Sequence, residues 1–140
     1  MSQLTTPELF DMSGHVAVIT GAGRGIGEGI AKSFSEAGAS VIVAARRTEE
    51  IDRVAAEINE SGGSAIAVTT DVTDDDAVEN LAKSAIAEYG KLTTWVNNAG
   101  GSPMRMPLSD LPREEWDRTV ALNLTSIYIG CVTAAKYMTK

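Results

Sequence analysis

The chain has 140 residues, 44% apolar and 22% charged, a balance that suits one globular domain with a full core and disfavours disorder. Lys and Arg number 12 against 19 Asp and Glu, a formal charge of −7, so no nucleic-acid partner is expected. Cys131 is the only cysteine, which excludes an internal disulfide and a cysteine-rich zinc site; with no membrane-length apolar stretch and no basic-then-apolar leader, no membrane partner and a cytoplasmic location are expected.

The first dozen residues read as a loose lead-in. Val16-Ala17-Val18-Ile19 opens a strand over 16–20, and the glycine-rich run Thr20-Gly21-Ala22-Gly23-Arg24-Gly25-Ile26-Gly27 follows it. A helix is expected from Gly25 to about Ala37, stopped by Gly38. A second strand over 40–45 precedes a helix from near Thr48, with Ile51, Val54, Ala55 and Ile58 on one face and Ser61-Gly62-Gly63 at its end. A third strand over 65–70 leads to a helix beginning at Thr73. That helix has Asp74, Asp75 and Asp76 in its first turn, then Val78, Leu81, Ala82, Ala85 and Ile86 before Gly90. The three acids are read as complementing the helix dipole rather than as a metal site, and no metal is expected. A fourth strand is expected over 92–97. From about Glu114 to Lys140 the pattern is helical, with Trp116, Val120, Leu124, Ile127, Cys131, Ala134 and Met138 along one stripe. Leu122, Ile129 and Tyr137 lie off that stripe, so this helix is expected to be buried on more than one side, with Cys131 a small core residue.

Strict alternation of short apolar strands with helices of roughly a dozen residues predicts the α/β class: a doubly wound parallel sheet with strand order 3-2-1-4. No repeat, low-complexity tract or linker divides it, so 1–140 is taken as one domain. His15, alone before the first strand, is not expected to act in catalysis.

A strand that ends in a glycine turn and opens a helix is a means of holding a nucleotide diphosphate. The backbone approaches closely, and the helix N-terminus offers free N–H groups and partial positive charge. The common G-x-G-x-x-G fingerprint fails in every register, because Ile26, Glu28 and Ile30 fall where its third glycine would be. An ATP-type phosphate loop fails too, since no Gly-Lys pair follows. Thr-Gly-x-x-x-Gly-x-Gly fits instead. Together with Asp71-Val72 after the third strand, Asn97-Asn98-Ala99-Gly100 after the fourth and Asn123 on the long helix, it resembles the short-chain dehydrogenase/reductase family from Met12 onward, and that resemblance implies a Rossmann fold.

The resemblance implies that Gly21, Gly23, Arg24, Gly25, Ile26 and Gly27 surround the pyrophosphate. It implies that Asp71 and Val72 meet the adenine, and that Asn98, Ala99 and Gly100 wall the ribose. On the residues alone, Asp71 reads first as a helix cap, and the Asn side chains read equally as strand-end hydrogen bonders. Asn123 is the one member of the family's Asn-Ser-Tyr-Lys catalytic set that matches here. Its implied role is to bend the long helix and hold a water that relays protons to the Lys. Cofactor choice follows from charge. Where an NAD-selective relative carries an acid, about twenty residues past the turn, the chain reads Ala44-Ala45-Arg46-Arg47. Arg46 and Arg24 are therefore expected to hold the 2′-phosphate of NADP.

The implied Ser and Tyr-x-x-x-Lys would follow a fifth strand, past residue 140; the Tyr137/Lys140 pair is one residue too short and on the wrong helix. The expected function is the cofactor half of an NADP(H)-dependent oxidoreductase acting on a small-molecule carbonyl or secondary alcohol. By itself this half is expected to be inactive. The generic resemblance is to 3-oxoacyl carrier-protein reductases and to sugar or polyol dehydrogenases, with the loop over 101–107 beside the substrate. A homo-oligomer is expected through the 114–140 helix. The alternative is an inactive nucleotide-binding or subunit-interaction module.

Overall fold

The computed structural model describes residues 9–102 and 106–138. The elements follow in the order β1 (Val16–Thr20), α1 (Gly25–Glu36), β2 (Ser40–Ala45), α2 (Thr48–Glu60), β3 (Ser64–Thr69), α3 (Asp75–Tyr89) and β4 (Thr94–Val96). A short 3₁₀ turn (Leu108–Asp110) then leads to α4 (Arg113–Val120), a π-helical turn (Ala121–Thr125) and α5 (Ser126–Met138). The four strands form one parallel sheet in the order β3-β2-β1-β4, the expected topology.

Alternation along β1 and β2 divides the core between two faces. Ala17 and Ile19 of β1, with Val41 and Val43 of β2, pack under α1 and α2 against Ala31, Ile51, Val54 and Ile58. Val16 and Val18, with Ile42 and Ala44, pack on the other face against Leu81, Ala82 and Ala85 of α3. Every residue of β1 is buried. Successive side chains point to opposite faces, so a strand covered on both sides is apolar on both, which is why Val16 to Ile19 show no period of two.

Several boundaries differ from expectation, each for a local reason. β4 spans three residues rather than 92–97. At its start, Thr93 accepts from the Val16 N–H with its hydroxyl; at its end, the Asn98 N–H turns back to the Val96 carbonyl. α3 begins at Asp75, because Asp74 caps it by accepting from the Ala77 N–H. The lead-in is not all loose: Met12 packs on the α1/α2 face, and its N–H reaches the Ala37 carbonyl at 2.8 Å.

The largest departure is the last helix. It is not one α-helix over 114–140, and residues 139–140 lie outside the described residues. The π-helical turn, with its wider hydrogen-bonding step, shifts the phase of everything after it. The residues of α5 that become buried are Ser126, Gly130, Thr133 and Ala134. Of the expected apolar stripe only Ala134 is buried, while Trp116, Leu124, Ile127 and Met138 are exposed. Cys131, expected in the core, is exposed as well. Close approach decides which face is covered: a methyl on Gly130 would overlap the Asn97 side chain and crowd the Trp95 indole nitrogen.

Candidate functional site: the cleft at the glycine turn

Parallel strands all end on one side, so the loops after β1, β2, β3 and β4 gather at a single edge. There they enclose a cleft of about 700 Å³. Its lining takes Gly21, Gly23, Arg24, Gly25, Ile26 and Gly27 from the first loop, Arg46 from the second, Val72 from the third, and Asn98, Ala99 and Gly100 from the fourth. Residues named separately in the sequence from position 21 to position 100 thus meet in one place.

Close packing holds the turn. Gly21 has φ of +66°, a conformation that disfavours side chains, and a Cβ there would sit 2.9 Å from the Ala99 Cα. A methyl on Gly27 would overlap the Gly21 carbonyl and the Asn98 side-chain nitrogen. Thr20 links the turn to the loop after β4: its buried hydroxyl donates to the Val96 carbonyl at 3.2 Å and accepts from the Asn98 and Ala99 N–H groups at 3.0 and 3.1 Å. The Asn98 amide donates to the Thr20 and Gly21 carbonyls at 2.9 and 3.2 Å. These bonds were foreseen in kind for Asn98, whereas the part of Thr20 was not.

The N-terminus of α1 opens at this turn without a side-chain cap; Arg24, the residue before it, is extended. The first N–H groups of a helix have no carbonyl one turn earlier to receive them. A glycine turn with uncapped N–H groups, beside a cleft containing arginines, fits an anionic dinucleotide. The Arg24 and Arg46 side chains make no hydrogen bond or ion pair among the described residues; the Arg24 charge adds to the Arg47 hydrogen bond that lowers the Glu50 carboxyl, and the Arg46 charge adds to the Thr73 hydrogen bonds that lower Asp71. Arg47 is engaged, donating to Glu50 at 2.6 Å.

Asp71 falls between two lining residues, Thr70 and Val72, without itself lining the cleft. It does not cap α3. Its carboxylate accepts from the Thr73 N–H and hydroxyl at 2.9 and 2.7 Å, and those bonds hold its pKa below the ordinary carboxylate value. Asn123 stands in the π-helical turn. Its side chain accepts from the Gly101 N–H at 2.9 Å and donates to the Gly101 and Thr119 carbonyls at 2.7 and 2.9 Å. It therefore braces the loop after β4 while its neighbour Leu122 lines the cleft.

Sequence reasoning missed Ala45, Arg47, Glu50, Thr70 and Leu122 in the lining. Glu50 is the notable one, an acid beside Gly23 that bonds Arg47 and shares the cleft lining with Arg24 and Arg46. Only its position on the first turn of α2 could have flagged it. The remaining candidates sit apart. Tyr137 donates its hydroxyl to Glu79 on α3, which also takes Lys136 at 2.6 Å; Lys140 lies outside the described residues. His15 meets the Thr93 hydroxyl at 3.2 Å, at the opposite end of β1 from the turn. Of the loop over 101–107, residues 103–105 lie outside the described residues. Among the described residues no group of His, Cys, Asp and Glu could hold a metal ion, and no helix is long and apolar enough to cross a membrane.

The family model for short chain dehydrogenase matches residues 15–140. The chain is 36% identical over 122 residues to 3beta-hydroxysteroid dehydrogenase 1 of Eggerthella lenta, covering 86% of this chain and 46% of that protein. It is 33% identical over 135 residues to gluconate 5-dehydrogenase of Gluconobacter oxydans, covering 96% and 52%. Among solved structures, a short-chain type dehydrogenase/reductase from Mycobacterium marinum superposes with a TM-score of 0.92 at 38% identity, over 96% of this chain and 54% of that one. The hydroxysteroid dehydrogenase from Escherichia coli does so at 0.86 and 38%, over 91% and 53%. The chain spans about half the length of these relatives.

Proposed function

The chain belongs to the short-chain dehydrogenase family, and from that premise we propose that it is the coenzyme-binding half of an NADP(H)-dependent oxidoreductase that interconverts a carbonyl and a secondary alcohol. The observation that carries this reading is the uncapped start of α1 beside two arginines that no carboxylate bonds. The turn from Gly21 to Gly27 would receive the diphosphate on its N–H groups. Arg24 and Arg46 would take the 2′-phosphate through charge-assisted hydrogen bonds. Asp71 and Val72 would meet the adenine, and Asn98, Ala99 and Gly100 would wall the ribose. Asn123 would hold a proton-relaying water, its side chain already fixed on Gly101. The bound nicotinamide would exchange hydride with the substrate carbon.

Relatives named for hydroxysteroids and for gluconate share dehydrogenation. A 3-oxoacyl substrate has the same carbonyl chemistry, so the assignment is to that bond. The 140 residues contain no Tyr-x-x-x-Lys, and we assign them coenzyme binding without turnover. Copies of the intact protein would associate through α4 and α5.

Fluorescence titration with NADPH and NADH tests the reading. NADPH is expected to bind about tenfold or more tightly, the size of one strong charge-assisted bond. Equal affinity, or preference for NADH, overturns the NADP assignment; no binding of either overturns the coenzyme reading. A panel of ketones should leave the NADPH absorbance steady, and sustained loss would contradict the absence of turnover.

A further inference from the structure

Arg53 stands on α2, outside the cleft lining, and its guanidinium reaches the back of the glycine turn. Its Nη2 donates to the Gly23 carbonyl at 3.1 Å and to Glu28 Oε2 at 2.9 Å. Its Nη1 donates to Glu28 Oε1 at 3.1 Å and to Glu57 Oε1 at 2.8 Å. Lys32 bridges the same two carboxylates, at 2.6 and 2.7 Å. Both cations tie α1 to α2, but only Arg53 touches the turn.

That contact controls which way a peptide faces. A trans peptide is planar, with its C=O and N–H directed oppositely. Holding the Gly23 carbonyl on Arg53 therefore points the Arg24 N–H away from α2. Gly23 has no Cβ and Arg24 is extended at φ of −164°, so the two torsions that orient this peptide leave it room to swing at small cost, short of a full flip. A peptide that swung away from Arg53 would turn the Arg24 N–H off the line an anion at the turn needs. We propose that Arg53 is a positioning residue that locks the Gly23–Arg24 peptide in the orientation a diphosphate needs. This rests on the reading of that turn as the diphosphate site.

Calorimetric titration of the full chain with NADPH and NADH, together with amide hydrogen exchange of the free protein, tests it on four forms: wild type, Arg53→Gln, Arg53→Lys and Lys32→Gln. Lys32→Gln weakens the same two-helix network while sparing the Gly23 bond. Arg53→Gln is expected to weaken binding about tenfold and to speed exchange at the amides of residues 24–26. Lys32→Gln should change affinity less than about twofold, the effect of an exposed pair. Arg53→Lys keeps the charge but lacks the planar fork, so an intermediate loss is expected, about threefold. It also serves as the folded comparison should Arg53→Gln melt. Unchanged affinity in the Arg53 variants, or an equal loss in Lys32→Gln, overturns the proposal. A wild type that binds neither nucleotide overturns the diphosphate reading instead, and exchange in the free variants still reports whether Arg53 holds the turn.

Discussion

Thr20 shows how much one small side chain can fix. The hydroxyl has one proton to give and two lone pairs to offer, and three backbone groups at and just past the end of β4 use them. It is 2% exposed, so water cannot replace these partners. Thr20→Val keeps the shape and removes every bond. The expected cost is about 1–3 kcal/mol, the penalty for stranding buried polar groups. It should appear as a lower denaturant midpoint with an unchanged slope. Asn98 was readable as a strand-end residue from its type and place, because Asn habitually satisfies backbone groups at chain turns. Thr20 was not: a threonine closing an apolar strand reads as one more β-branched strand residue, and only the fold brings Val96, Asn98 and Ala99 to its hydroxyl.

At the scale of elements, α1 and α2 are joined by charge as well as by their shared apolar face. Glu28 receives Arg53 and Lys32, and these bonds hold its carboxyl at about 2 against an ordinary 4.5. A carboxyl whose pKa is depressed by folding adds stability above its unfolded value and loses it as protons return. The α1/α2 network is therefore expected to weaken as pH falls from about 4.5 toward 2, and to be at full strength at neutral pH. Melting temperatures of wild type and Glu28→Gln, measured across that window, check this. The two curves should converge at the acid end, and a gap that stays constant with pH would contradict the assignment. The helix itself was legible from periodicity, whereas its partners depended on how α1 and α2 lie across the sheet. The last helix teaches the reverse lesson. A 3.6-residue period was carried through Ala121–Thr125, where the hydrogen-bonding step changes, and of the stripe after it Ile127, Cys131 and Met138 are exposed while only Ala134 is buried.

Across the whole molecule, the last helices leave an apolar surface: Leu124, Tyr128 and Val132, at four-residue spacing, are each at least half exposed, as is Trp116 on α4. A surface of this kind on one side of a compact fold marks an interaction site. Association of copies through α4 and α5 is expected to show as concentration-dependent sedimentation of the wild type. Tyr128→Glu with Val132→Glu should shift it to the monomer. Neither residue contributes to the buried face of α5, so the far-ultraviolet dichroism should be unchanged. Wild type that sediments as a monomer at every concentration would remove this surface from the assembly.

Composition and local pattern alone determined the α/β class, the order of strands and helices, the parallel sheet and the glycine turn. All of these follow from interactions between residues a few positions apart: alternation, helical spacing and the conformations open to glycine. Tertiary structure decided what needed distant parts to meet. It set Asn123 on Gly101, Glu50 among the arginines, Arg53 behind Gly23 and Cys131 at the surface. The physical reason is that a hydrogen bond or a close contact depends on position in space, and the sheet brings residues 21, 46, 72 and 98 to one edge whatever separates them along the chain.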